Sequence, residues 1–442
     1  MNGSDNDPRI HEPGAHANEA SVDDPQKNGP VEASGSSGSG GSSGLHAADP
    51  LLDGQPWDES EPDEQPRDQH PQDQQPLDQL AQDQQPQDQP QAESWPPDSP
   101  SFGDSPRSLP SSAPPARRGI RTFDSEHVAQ HATMLANRVR KRFAHLQKRF
   151  ARDNIDCFRL YDRDIPEVRA VVDWFAGHLV IAEYVRLQTG PEWLPAMAEA
   201  VGTALNVPPE RRHLRRRATG HGEGPRYAPL GQTGRRIAVN EREMRFLVNL
   251  DDRLDTGLFP DHRDTRSMVR SMAYGADFLN LYAYTGSFTC AAAAGGARTT
   301  VTVDRSSTYM DWTRDNLELN RLWSDKHRLV RADTLDFLDR ARLEGRLWDL
   351  VFVDPPSFSH RKDEGTGFDV SRDHPSLLRR VLAITRPGGT IVFSTNHQRF
   401  EPHFEGLGVG SLEDITDATV PEDYRNRQIH RCWRIRTRGP AT

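Results

Sequence analysis

Asp304, Asp333 and Asp354 each stand just past a short apolar run, and Asp354 opens the string Asp354-Pro355-Pro356-Ser357-Phe358. Two prolines fix that loop and remove two N–H donors. The turn therefore presents carbonyl oxygens and one carboxylate, with an aromatic ring close by. Such a socket suits a flat ring bearing N–H groups, with Phe358 placed to stack on it. Asp354, Pro355, Pro356 and Phe358 are the catalytic candidates on this reading. The bland alternative is a rigid loop with a solvated aspartate.

The run from Phe278 to Thr289 reads as an apolar strand, a tight turn with one glycine, and an alanine-rich helix from Ser287 to Ala294. A strand–turn–helix of this kind brings backbone N–H groups and a helix N-terminus to an anionic or polar ligand. Asn280, Tyr284, Thr285, Gly286 and Ser287 are the ligand-binding candidates here. Dinucleotide folds prefer G-x-G-x-x-G, whose extra glycines let backbone approach a pyrophosphate. A single glycine argues against NAD or FAD and for a ligand without pyrophosphate, such as S-adenosylmethionine. Asp304, 18 residues after Gly286, can accept hydrogen bonds from two ribose hydroxyls. Asp333 can meet the exocyclic amine of an adenine, or simply cap the helix that follows it. The stretch Leu254 to Arg263 has two readings: a cover over the cofactor with Asp261 and Arg263 as polar contacts, or an ordinary linker capped at Asp261.

These groups need a frame. From about Asp264 helices alternate with apolar strands, the signature of a doubly wound parallel sheet. The expected strands are Phe278–Leu281, Thr300–Val303, His327–Val330, Leu350–Val353 and Thr390–Ser394. Helices are expected at Arg263–Tyr274, Ser287–Ala294, Ser307–Asn320, Thr334–Glu344 and Pro375–Thr385. Ile415–Thr416 and Ile429–Ile435 supply a candidate antiparallel pair. The fold class is thus α/β, a Rossmann-like doubly wound sheet preceded by a smaller α+β domain. In that domain Glu126 to Arg152 has helical periodicity, three strands form a meander between Cys157 and Tyr184, and Glu192 to Leu205 is a helix. Arg211 to Arg217 is a basic run, Gly220 to Gly224 a loop, and Ile237 to Val248 a hairpin.

Charge is segregated along the chain. The whole carries a formal net charge of −10. Residues 1–120 hold 22 acidic and 6 basic residues, and the remainder 43 acidic and 49 basic. The first 124 residues repeat Asp, Gln and Pro after a Ser/Gly stretch and offer few apolar side chains, so they read as a disordered acidic tail. It is either a solvating tail or an arm competing with RNA for a basic surface. The domains expected are thus 1–124, 125–250 and 251–442. Cys157, Cys290 and Cys432 are too widely spaced for a disulfide framework or a zinc site, and no metal is expected. With no apolar leader or membrane-length run, a soluble cytoplasmic protein is expected.

In combination, these strings resemble the RlmK class of 23S rRNA methyltransferases, the C-terminal half of bifunctional RlmKL proteins. The matching strings are Cys157 to Asp162, Asp164 to Glu167, Leu254 to Arg263, Phe278 to Gly286, Gly295 to Arg298 and Thr302 to Asp304. They continue through Asp354 to Ser359, Phe368 to Val370, Arg372 to His374, and Arg425 to His430. Cys157 stands where an aromatic residue is expected. The resemblance spans about Glu126 to Arg436. It implies the class I S-adenosylmethionine-dependent fold, methyl transfer to guanine N7, and 23S rRNA or a large-subunit precursor as partner. The fused partner of the bifunctional proteins is missing, so N2 methylation of a second guanine is not expected.

Two rivals remain at this point, besides methylation of protein or a small molecule, which the arginine-rich small domain disfavours. Cytosine C5 methylation needs a cysteine nucleophile; in the enzymes of that kind it follows the fifth strand, where this chain reads Ser394-Thr395-Asn396-His397. A cofactor-binding RNA chaperone or assembly factor without turnover is the other. Arg211 to Arg217 is the candidate phosphate contact, against a solvated basic strand or loop.

Overall fold

The computed structural model describes residues 123–186, 188–217, 230–359, 367–397 and 399–439. Residues 1–122 and the Gly220 to Gly224 loop lie outside these. Asp124 opens the first helix, α1 (Ser125–Arg152), by accepting the His127 N–H, and α1 turns Val128, Leu135, Val139, Leu146 and Phe150 inward. The meander follows as β1 (Cys157–Asp162), β2 (Ala170–Phe175) and β3 (His178–Tyr184), each antiparallel to the last. Helix α2 (Trp193–Leu205) then crosses over to β4 (Arg212–Arg217). Because a helix intervenes, β4 returns parallel to β3 and closes a four-stranded sheet. From Arg212 on, the basic run is therefore an edge strand of that sheet, with Arg211 in the turn before it. A hairpin of β5 (Ile237–Glu241) and β6 (Met244–Val248) ends this part.

Helix α3 (Arg263–Met272) starts the larger sheet region. Next come β7 (Asp277–Leu281), α4 (Ser287–Ala294), β8 (Thr299–Asp304), α5 (Ser307–Leu319), β9 (His327–Arg331), α6 (Thr334–Leu343) and β10 (Trp348–Val353). A two-rung ladder joins β11 (Phe358–Ser359) to β12 (Phe368–Asp369), and α7 (Val370–Ala383) leads to β13 (Thr385–Thr395). The chain ends with β14 (Ser411–Asp414), α8 (Thr416–Thr419) and β15 (Arg431–Arg436). The sheet order is β14-β15-β13-β10-β7-β8-β9. The five strands β13, β10, β7, β8 and β9 are mutually parallel, and β15 runs antiparallel to both of its neighbours. Strand order reverses at β7 and β10, so the crevice beyond their carboxyl ends is where a ligand binds in such sheets.

Three boundaries differ from the sequence reading by more than two residues. Helix α7 starts at Val370 and contains Pro375, because Asp369 accepts the Ser371 N–H and caps it earlier. Strand β13 begins at Thr385, and its register on β10 slips between Trp348 and Leu350, which leaves Gly388 at φ +79° in the irregular part. Strand β14 lies at Ser411–Asp414 rather than at Ile415, whose neighbours wind into α8.

The smaller part and the large sheet share a core. Cys157, Phe175, Val180, Val239 and Phe246 pack in one apolar cluster with Cys290, Ala291 and Leu317. Burying both faces in one cluster fixes the frame on which the crevice is built. Among the described residues no helix is long and apolar enough to cross a membrane.

Candidate active site

Val353 of β10 pairs with Leu281 of β7 and Phe393 of β13, and Leu281 pairs with Val303 of β8. The next residue on each strand is Asp354, Tyr282, Ser394 and Asp304. A single register thus lines up two carboxylates, a phenol and a hydroxyl at the mouth of the crevice.

The turn after β7 is held in an unusual shape. Tyr282 and Tyr284 sit at φ +54° and +52°, and Gly286 at +71°. Two non-glycine residues in the left-handed region store strain, which persists only where the surroundings over-determine the backbone. Those surroundings are visible. The Gly286 N–H donates to the Ala283 carbonyl at 2.9 Å. A Cβ on Gly286 would stand 2.2 Å from Thr313 Cγ2. Asn316 Nδ2 donates to the Thr285 carbonyl at 2.9 Å, and Thr285 Oγ1 donates to the Gly257 carbonyl at 2.6 Å. Ser287 begins α4 and is half-buried.

Asp304 accepts the Tyr284 N–H at 2.9 Å and the Ser306 N–H at 3.0 Å. Burial outweighs those bonds and raises its pKa. Asp333 accepts the Leu335 N–H at 2.9 Å as the cap of α6, the more modest of its two readings. Asn280 lies wholly buried within β7 and donates to Thr289 Oγ1 at 3.0 Å, while its Oδ1 has no partner among the described residues. It supports the turn from beneath.

The stretch from Leu254 to Arg263 packs onto this turn. A Cβ on Gly257, at φ +95°, would strike the Trp312 ring, and the Phe259 ring lies 5.3 Å from that of Tyr284. Asp261 is buried, and its Oδ2 meets His430 Nδ1 at 3.1 Å and His262 Nε2 at 3.9 Å. Burial alone would raise Asp261, but His262 and His430 together hold it well below the usual carboxylate range. Arg263 is placed elsewhere than the sequence reading put it. It is 2% exposed, pairs with the buried Asp423, donates to the Cys157 carbonyl at 3.3 Å and lies over the Phe150 ring. Its guanidinium joins α1, β1 and the C-terminal segment, so it is left out of the proposed ligand contacts.

Asp354 lies across the crevice with 28% of its side chain in contact with solvent. Its Oδ2 is 3.6 Å from His262 Nε2. The rest of the carboxyl is surrounded by protein, and this burial pushes its pKa up to about 7, with His430 pulling down and Asp261 pushing up. Ser394 Oγ, buried and without a fully formed hydrogen bond among the described residues, also opposes the rise. Pro355 is buried and Pro356 half-buried. Ser357 Oγ donates to Asn396 Oδ1 at 2.9 Å, and its carbonyl accepts the Val370 N–H at 3.1 Å, which anchors the loop to β13 and α7. Phe358 remains 52% exposed and meets the His397 ring edge-on at 5.8 Å.

Cys157, Cys290 and Cys432 are all free and fully buried, and burial raises each thiol. The end of β13 carries Thr395 and Asn396, with no thiol.

Sequence spacing did not foresee the meeting of Asp261, His262 and His430, which bring one donor atom each within 4.8 Å. The only signal was that both histidines lie in strings shared with the resembling family. The two imidazoles stack at 4.2 Å and 14°. An ion bound in the plane of one ring would lie out of the plane of the other, where that ring's nitrogen lone pairs do not point, so this arrangement favours hydrogen bonding over chelation. The basic run also differs from expectation. Arg215 is 2% exposed, and its guanidinium donates to the Leu250, Arg253 and Leu254 carbonyls. Arg212 pairs with Glu199 at 2.6 Å. Arg211 and Arg216 face outward.

Residues 159–411 match the S-adenosylmethionine-dependent methyltransferase family. The chain belongs to that family. Its ribosomal relatives include the Neisseria meningitidis "Ribosomal RNA large subunit methyltransferase K", 41% identical over 69% of this chain and 87% of the relative. The Syntrophotalea carbinolica "Ribosomal RNA large subunit methyltransferase K/L" is 42% identical over 70% of this chain and 44% of the relative. The chain thus spans less than half of the K/L proteins it matches. A methyltransferase solved with S-adenosylhomocysteine shares the fold, at a TM-score of 0.55 and 23% identity over 70% of this chain and 82% of that one. The family's cofactor is S-adenosylmethionine, and the crevice fits it. The single-glycine turn has no room for a side chain, Asp304 keeps lone pairs beyond its two backbone bonds, and no second glycine prepares a pyrophosphate site.

Proposed function

We propose that this chain methylates N7 of a guanine in 23S rRNA, acting in the cytoplasm on that RNA or on a large-subunit precursor. The observation that carries the reading is the loop from Asp354 to Phe358, which joins a half-sheltered carboxyl to a 52% exposed aromatic ring at the tip of a central strand. The names of the ribosomal relatives support the substrate class.

S-adenosylmethionine, when bound, supplies an electrophilic methyl group on a sulfonium. Asp304 would hold its ribose hydroxyls, the turn Tyr284–Ser287 its polar tail, and Asp333 or the backbone beside it the adenine. Guanine N7 has an in-plane lone pair and no proton, so no general base is needed, and this chain's residues act by positioning and electrostatics. Ionised Asp354 and the Pro355 carbonyl accept from N1–H and the N2 amine, the edge of guanine opposite N7. Phe358 stacks on the extruded base. The carboxylate also favours the positive charge that develops on the ring.

Cytosine C5 methylation is disfavoured because Cys290 and Cys432 are sealed in the core and the segment just past β13, Asn396-His397, carries no thiol. The test is incubation with methyl-labelled cofactor and unmodified 23S rRNA, followed by nucleoside analysis. Labelled 7-methylguanosine supports the reading; label in 5-methylcytidine, or none, overturns it.

A further inference from the structure

The group behind Asp354 has a definite proton arrangement. Thr419 Oγ1 lies 3.1 Å from the Ile415 carbonyl and 3.0 Å from that of Thr416, so its one proton is committed to the backbone. It therefore accepts from His430 Nε2, at 3.1 Å. His430 Nδ1 faces Asp261 Oδ2, and a proton must lie between them. His262 is set the other way. Its Nδ1 is 3.3 Å from Thr265 Oγ1, a fully buried hydroxyl with no other hydrogen-bond partner among the described residues. That hydroxyl donates to Nδ1, which leaves the His262 proton on Nε2. Asp261 Oδ2, engaged by His430, lies 3.9 Å from His262 Nε2, so the nearer acceptor for Nε2–H is Asp354 Oδ2, 3.6 Å away.

His262 has little freedom to turn elsewhere. It is 4% exposed, stacked on His430, and boxed edge-on by Phe288 and Phe352 at 5.7 and 6.3 Å. We infer that His262 is a positioning residue for Asp354: its Nε2–H holds one carboxylate oxygen and leaves the other free for the base. The inference rests on the role proposed above for Asp354. The gap is longer than a hydrogen bond in the free protein, and it closes when the base draws the carboxylate into its ionised form. The threonines beneath the two rings thus give adjacent histidines opposite duties. His430 secures the segment before α3 through Asp261, and His262 aims Asp354.

Around Asp354 the other groups that bear on its charge are Asp261, His430, Ser394 and Cys432, and Arg266 of α3 bears on His262. Arg266 is itself paired with Glu241 through both carboxylate oxygens, at 2.7 and 2.6 Å. Removing only the His262 N–H therefore isolates one contribution to the ionisation of Asp354.

The experiment compares His262→Leu, His262→Gln, Thr265→Val and Asp354→Asn in single-turnover methyl transfer to 23S rRNA across pH, with cofactor affinity measured by calorimetry. Loss of a donor to the charged form raises the acid limb, so His262→Leu is expected to shift it upward by about one pH unit and slow the plateau about tenfold. His262→Gln, which keeps an N–H at the place of Nε2, restores most of both. Thr265→Val, which frees the tautomer without changing side-chain volume much, shifts the limb the same way by less. Cofactor affinity stays unchanged in all three. If Asp354→Asn is inactive while His262→Leu and Thr265→Val keep the native pH profile, His262 does not position Asp354 and the inference fails alone. If Asp354→Asn stays active, the proposed role of Asp354 fails and the inference with it.

Discussion

Thr285 Oγ1 donates a 2.6 Å hydrogen bond to the Gly257 carbonyl and so fastens the segment before α3 to the turn after β7. Both ends are buried or tightly packed, so the bond is protected from water. Thr285→Val keeps the shape and removes the donor, which leaves a buried carbonyl unpaired at a cost of about 1–3 kcal/mol. Cofactor binding measured by calorimetry should weaken about tenfold, because the turn is no longer held in its strained form. Unchanged affinity would show that the segment and the turn are independent.

Gly286→Ala tests the turn itself. The new Cβ would demand φ +71° of an L-residue and overlap Thr313. The expected outcome is a loss of roughly 2 kcal/mol or more in denaturant stability. Equilibrium dialysis should find no saturable cofactor binding.

Asp354 gives a pH prediction with a definite sign. Its pKa of about 7 is above the ordinary carboxyl value, so the neutral form dominates below pH 7 and the carboxylate above it. If the carboxylate holds guanine, kcat/KM rises with pH through about 7 and then levels. Stability runs the opposite way: the native state keeps this proton longer than the unfolded chain, so its contribution falls as pH climbs from the unfolded value toward 7. Asp354→Asn should therefore lose methyl transfer yet melt higher than the native protein at pH 8, by on the order of 1–3 kcal/mol in stability.

Arg263 and Asp423 form an ion pair that is almost completely buried. Asp423→Ala strands the guanidinium and should cost about 3–5 kcal/mol in urea unfolding. Replacing both by Met and Leu should recover much of that loss. Cofactor affinity at low temperature, where the variants remain folded, should match the native value, since Arg263 is turned away from the crevice.

The basic run separates two kinds of arginine. Arg211→Ala and Arg216→Ala should each flatten the salt dependence of RNA binding, by about one in the log–log slope if each meets a phosphate. Arg215→Ala should destabilise the protein, because three backbone carbonyls lose their donor, and leave the slope as it was.

What the sequence revealed follows the range of the physical signal. Strands β7 to β10 and the helices between them announce themselves through apolar runs and local caps, and α4 falls on its expected residues, Ser287–Ala294. The places of Gly286, capping α4, and of Asp304, ending β8, were legible because each follows directly on an apolar strand. Arg263 was misplaced because its partner Asp423 is 160 residues away, and no local pattern shows which way a guanidinium turns. A similar separation, 169 residues, hid the pairing of Asp261 with His430. Arg215 shows the limit of composition: a run of arginines looks like one surface, yet strand alternation sends every second side chain inward.

The crevice draws Asp261 from a segment ahead of the large sheet and His430 from the last connection within it, 169 residues later. While the polypeptide is still being made, the glycine turn and Asp304 emerge first, but their counterpart arrives only with β15. Asp261 therefore stays without its His430 partner until the segment just before β15 has been made. A chain cut ahead of His430 would keep all five parallel strands yet lose the imidazole that holds Asp261 and the strand that joins β13 to β14.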